Sequence, residues 1–208
     1  MRRTLHTGGT FIHSLFHAWN GLVHTVVHQR NMRLHVLAAT LVSLVGSGIP
    51  LGLAEKVTLL FCVMLIFFAE MLNSALEQLV DLAIQQFDEK ARLTKDTAAA
   101  GVLVLAIGTV VIFAALLVHN AETIKTRVDQ IQRQVLVGVP LTVCAGVLMH
   151  ESRRPAWVDM GVGLLALFLW GALLTWTESL VFSTMTLSLL VLCAAASHRR
   201  RAQRVPLT

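Results

Sequence analysis

Long apolar runs alternate with short polar joints along this chain, and the lengths of the runs set the first expectation. A bilayer core is crossed by about 20 apolar residues of helix. Residues 36–54, 57–84, 97–118, 135–149, 157–176 and 179–196 meet or approach that length. They predict an all-α, polytopic membrane protein with six spans. The fourth run is short and contains Pro140, so a re-entrant or thinned segment is an alternative there. Ahead of the first run, Phe11, Ile12, Leu15, Phe16, Trp19, Leu22, Val23, Val26 and Val27 recur at helical period among polar positions. Residues 10–35 therefore predict an amphipathic helix lying in the interface. Ile124, Val128 and Ile131, spaced i, i+4 and i+7 within the polar residues 120–134, predict a short surface helix. The character changes near residue 120, which divides a first module, 1–119, from a C-terminal extension, 120–208.

Composition supports this picture. Of 208 residues, 55% are hydrophobic and 14% charged, too few charges to cover a soluble domain and far too apolar for a disordered one. The net charge of +5 does not point to nucleic acid, because the basic residues fall between the apolar runs and at the ends. With six spans, all of the 17 Lys and Arg except Lys56, Lys125, Arg127 and Arg133 share one side. The positive-inside rule then puts both termini and residues 85–96 in the cytoplasm. The polar interruptions after Arg2 and Arg3 do not read as a cleavable leader. Cys62, Cys144 and Cys193 stand far apart inside apolar runs, as packing residues and not as a disulfide framework or zinc site.

The second span carries the chemistry. Glu70, Asn73, Glu77 and Asp81 fall within an arc of about 80° on a helix turning roughly 100° per residue. Ionisable residues inside a membrane helix are costly and mark function. Three like charges so close require cations, and Mg²⁺ takes one or two carboxylates together with phosphate oxygens and water. The bland alternative is a polar seam in which Asn73 and Ser74 glue helices together. Lys95 and Asp96 then precede the small-residue run Thr97-Ala98-Ala99-Ala100-Gly101. A lysine near a helix N-terminus favours phosphate, and beside the acidic stripe it suggests a nucleotide at the membrane surface.

The run Glu70-Met71-Leu72-Asn73-Ser74-Ala75-Leu76-Glu77-Gln78-Leu79-Val80-Asp81, followed by Lys95-Asp96, resembles the bacterial integral-membrane diacylglycerol kinase family, which includes undecaprenol kinases. The likeness extends upstream through Ala18-Trp19-Asn20-Gly21-Leu22 and Gln29-Arg30-Asn31-Met32-Arg33, covering residues 10–119. The resemblance implies a homotrimer of the bacterial inner membrane that moves the ATP γ-phosphate to a lipid hydroxyl, diacylglycerol or undecaprenol. By that analogy Glu70 is the general base. Glu77 and Gln29 hold Mg²⁺, while Asn73, Glu77, Lys95 and Asp96 bind ATP. Glu70, Ser74 and Trp19 meet the lipid. One departure stands out: many members carry an acidic residue where this chain has Gln29, and an amide oxygen brings no charge to the metal.

Other features carry less. His13, His17, His24, His28 and His35 lie on one stripe of a continuous helix; pairs at i, i+4 can chelate a metal, though a polar face at the headgroups explains them. Among Trp157, Trp170 and Trp176, two stand at span ends, as in an aromatic belt. Arg199-Arg200-Arg201 reads as a juxtamembrane basic anchor. The extension shows no catalytic constellation. A small transporter or channel subunit using the acidic stripe, and a catalytically degenerate kinase relative, are the rival readings.

Overall fold

The structure, a computed structural model, describes residues 11–151 and 153–203; Arg2, Arg3 and Arg204 of the basic ends lie outside the described residues. Within them the chain forms eight α-helices and no strand: α1 (Phe11–His28), α2 (Arg30–Gly48), α3 (Leu53–Ala83), α4 (Glu89–His119), α5 (Ala121–Thr126), α6 (Val128–Met149), α7 (Ala156–Leu174) and α8 (Leu180–Ala202). Five of them, α3, α4, α6, α7 and α8, are long and apolar enough to cross a membrane. This is a polytopic membrane protein. The sixth expected span, α2, is less apolar because it is sheltered: its buried Thr40, Ser43 and Ser47 meet protein and not lipid.

The helices run up and down between two ends, and side-chain ties mark each end. At the near end, where α1 lies, Arg33 of α2 pairs with Glu151 beyond α6 at 2.5 Å, and Arg199 of α8 donates to the Asn20 carbonyl of α1 at 2.6 Å. At the far end Glu55, in the first turn of α3, accepts from Asn120 after α4 at 2.8 Å. There too Arg127, before α6, pairs with Glu178, before α8, at 2.5 Å.

The main core joins α1 and α2 to the extension. Val26, Met32, Val36, Leu141, Ala145, Cys193 and Ala196 are buried in one cluster. Ser43 donates to the Phe182 carbonyl at 2.6 Å and shares a hydrogen bond with Thr186 at 2.6 Å. A Cβ built on Gly46 would stand 2.6 Å from the Phe182 ring, so glycine there is what lets α2 and α8 approach.

Several boundaries depart from expectation, each for a local reason. The amphipathic helix expected over 10–35 stops at His28, because Gln29 is extended (φ −98°, ψ 119°) and residues from Arg30 onward enter α2. That break interrupts the histidine stripe before His35. The first span ends at Gly48 and not at 54: Pro50 holds Ile49 in the extended region. The next helix starts at Leu53, with Glu55 accepting from the Gly52 N–H at 2.7 Å, because a carboxylate suits a first turn. The third span gains eight residues at its start, where Asp88 caps α4 by accepting from Ala91 N at 2.9 Å. The surface helix expected over 120–134 is α5 plus the opening of α6, and α6 continues through Pro140 for 22 residues. It is a full-length helix and not a re-entrant turn. The three arginines 199–201 are no loose anchor either. Arg199 bonds α1, Arg200 bonds the Leu148 and Met149 carbonyls at the end of α6, and Arg201 pairs with Asp159 of α7.

Candidate functional site

Helix α3 spans 31 residues, built largely of strong helix formers, Leu, Ala, Met, Glu and Gln. Its second half presents the acidic stripe toward α1 and α2. Glu70, Asn73 and Ser74 are buried, at 1%, 5% and 2% exposure. Glu77 is half-buried and Asp81 exposed. The stripe therefore grades from sheltered to open along one face.

Three atoms of this stripe, Glu70 Oε2, Asn73 Oδ1 and Ser74 Oγ, are buried with no hydrogen-bond partner. An unpaired buried polar group costs about 1–3 kcal/mol, and more for a charge. Clustering three of them on two helical turns is the mark of a site awaiting a polar ligand. Glu77 points the same way. It accepts from Asn73 Nδ2 at 3.1 Å and from Gln29 Nε2 at 3.5 Å, both neutral amides, and no cation among the described residues pairs with it. A half-buried carboxylate held only by amides fits a metal ion. Either amide can turn about its last torsion to offer oxygen instead. One carboxylate with amide oxygens matches Mg²⁺ that keeps water and phosphate oxygens in its sphere. Among the described residues no group of three or more His, Cys, Asp or Glu gathers to hold a metal. His24 and His28, one turn apart on α1, have ring centroids 4.1 Å apart and planes tilted by 32°.

Lys95 of α4 meets the same face one turn further out, pairing with Asp81 at 2.5 Å. The α3–α4 hairpin makes this contact across 14 positions, a separation that helical spacing along one segment does not reveal. Of the residues expected in the site, Gln29, Asn73 and Glu77 are joined by hydrogen bonds, and Glu70 and Ser74 lie on the same buried face. Asp96 is exposed and has no hydrogen bond or ion pair among the described residues. Trp19, on α1, is 38% exposed and makes no hydrogen bond to the stripe.

Comparison with known proteins bears on residues 16–117, which match the family model described as prokaryotic diacylglycerol kinase. A diacylglycerol kinase of Synechocystis is 35% identical over 105 residues, 50% of this chain and 60% of that protein. The undecaprenol kinase of Bacillus subtilis is 33% identical over 97 residues, 47% of this chain and 79% of the other. The diacylglycerol kinase of Escherichia coli K12 is 30% identical over 101 residues, 49% and 83% of the two chains. No solved structure matches. The matched region contains the whole acidic stripe, Gln29 and Lys95, and ends before α5.

Proposed function

The chain belongs to the prokaryotic diacylglycerol kinase family, and on that premise we propose that it is a lipid kinase. It transfers the ATP γ-phosphate to the hydroxyl of a membrane lipid, diacylglycerol or undecaprenol. The observation that carries this reading is the run of orphaned buried polar atoms beside a carboxylate that lacks a cation. The protein sits in the bacterial inner membrane with its near end, and both termini, in the cytoplasm. It works as a homotrimer, as its resemblance to the family implies.

Phosphoryl transfer asks a protein mainly for positioning and charge neutralisation. Glu70, buried on the acidic face of α3, takes the hydroxyl proton as the oxygen bonds to the γ-phosphorus. The bond to the β-phosphate oxygen then breaks and ADP leaves. Ser74, one turn away on the same face, donates to or accepts from the bound lipid's polar head, and Trp19 supplies an apolar wall near the interface. Glu77 and Gln29 would hold Mg²⁺, which would supply positive charge against the ATP phosphates. Asn73 keeps Glu77 oriented by its 3.1 Å hydrogen bond. Lys95 releases Asp81 to reach phosphate oxygens, and Asp96 lies beside it on α4 to contact the nucleotide.

The test is ATP-dependent phosphorylation by purified protein in mixed micelles, with Mg²⁺ and both lipids offered together. Phosphate on either lipid is the expected result and identifies the acceptor. Phosphate on neither, from folded protein, would overturn the reading.

A further inference from the structure

The near ends of the last three helices border an open cavity that the acidic stripe does not touch. It measures about 880 Å³ and lies at the near end, where α6 stops, α7 begins and α8 ends. Arg153, Arg154, Arg200 and Arg201 line it, together with Glu151 and Asp159. Both acids are engaged, Glu151 by Arg33 and Asp159 by Arg201, each at 2.5 Å. Arg154 donates to the Val147 carbonyl at 2.6 Å and keeps Nε buried without a partner. Arg153 is exposed, with no hydrogen bond or ion pair among the described residues. Positive charge is therefore in excess here, and guanidinium groups suit phosphate oxygens.

A second cavity of about 470 Å³ continues from the first. Leu148, Asp159, Ser197 and Arg201 line both. From there the second runs between α7 and α8 past Gly163, Leu164, Leu167 and Val191. Its walls are apolar, and nothing lies within 4 Å of a Cβ placed on Gly163. A basic chamber at the end of a membrane bundle, opening into an apolar groove along the spans, has the shape and polarity of one amphiphile.

We propose that the C-terminal extension binds an anionic phospholipid, its phosphate among Arg153, Arg154 and Arg201 and one acyl chain in the α7–α8 groove. Asp159 Oδ1, buried without a partner, lies where the two cavities meet and accepts a hydrogen bond from a hydroxyl-bearing headgroup. The site is separate from the acidic stripe, and it stands whether or not the chain phosphorylates lipid.

The test uses the full chain in nanodiscs of phosphatidylcholine doped with phosphatidylglycerol, which is not a product of the proposed reaction. Native mass spectrometry counts the lipids that each variant retains. Arg153→Gln removes the open charge, and Gly163→Phe fills the groove where space is free. Each is expected to lower retained phosphatidylglycerol about fivefold, the effect of roughly one arginine at an anionic surface. Retained phosphatidylcholine should not change. Equal retention of both lipids by the parent, or no loss in either variant, overturns the proposal. A loss in Arg153→Gln alone, with inorganic phosphate raising the parent's Tm but not that variant's, makes the chamber a free-anion site and overturns it too. A loss in Gly163→Phe alone marks a groove without headgroup selection, with the same consequence.

Discussion

Gln29 and Glu77, 48 positions apart in the chain, meet through a 3.5 Å amide-to-carboxylate hydrogen bond. The extended backbone at Gln29, between α1 and α2, aims that side chain at α3. Since the only hydrogen bonds Glu77 accepts among the described residues come from amides, a second carboxylate at position 29 should complete a charged metal pair. Gln29→Glu is expected to lower the half-saturating Mg²⁺ concentration about tenfold, near 1.4 kcal/mol. Without Mg²⁺ the same variant should melt at lower temperature, because two carboxylates would then repel. Activity titrated with Mg²⁺, together with thermal unfolding with and without the metal, checks both halves.

Glu70 is buried with one oxygen unpartnered. Glu70→Gln should cut turnover by about 10²–10⁴, the usual contribution of a general base. It should also raise Tm, since a neutral amide is less costly to bury than a carboxylate. Retained activity would remove the general-base role.

The Lys95–Asp81 pair is partly open to water, with side chains 35% and 67% exposed. Such pairs add under about 1 kcal/mol to stability. Lys95→Met should therefore leave Tm nearly unchanged while raising KM for ATP about 10- to 100-fold, the value of one charge-assisted hydrogen bond. An unchanged KM would confine Lys95 to the hairpin contact.

At Gly46 the Phe182 ring leaves no room for a side chain. Gly46→Val should destabilise the protein by about 1–3 kcal/mol through forced separation of α2 and α8. Urea or thermal unfolding in detergent measures it. Gly161, with open space around it, is the control position for the same change.

Glu178 lies in the far-end link before α8. The Gln130 amide and the Arg127 guanidinium hold its carboxyl below the ordinary carboxylate range, against a smaller opposing effect of burial. A depressed carboxylate stabilises the fold above its unfolded value near 4.5 and loses that contribution as pH falls through the folded value. The Tm of the parent should thus drop on acidification below that value, and Glu178→Gln should flatten this part of the profile. Identical profiles would show that the link does not depend on this carboxylate.

Hydropathy and helical spacing by themselves established an all-α membrane protein and the stripe of Glu70, Asn73 and Glu77 on one helix face, while the run at residues 70–81 with Lys95-Asp96 carried the resemblance to the family that residues 16–117 match. Those properties follow from period and local sequence, which a linear reading sees directly. Helix ends were less legible because charge and hydropathy do not coincide with hydrogen-bonding: Glu55 and Lys56, which look like a stop, sit in the first turn of α3. Only the tertiary structure decided that the Gln29 amide hydrogen-bonds Glu77, a pair the resemblance had implied as metal ligands, that Lys95 pairs with Asp81, and that α2 is sheltered by α6 and α8. It also decided that the arginines 199–201 tie helices together and that Arg200 and Arg201 line one cavity with Arg153 and Arg154. Each of these depends on how helices distant in sequence approach one another. That approach is set by close packing at small residues such as Gly46, and no single segment carries it.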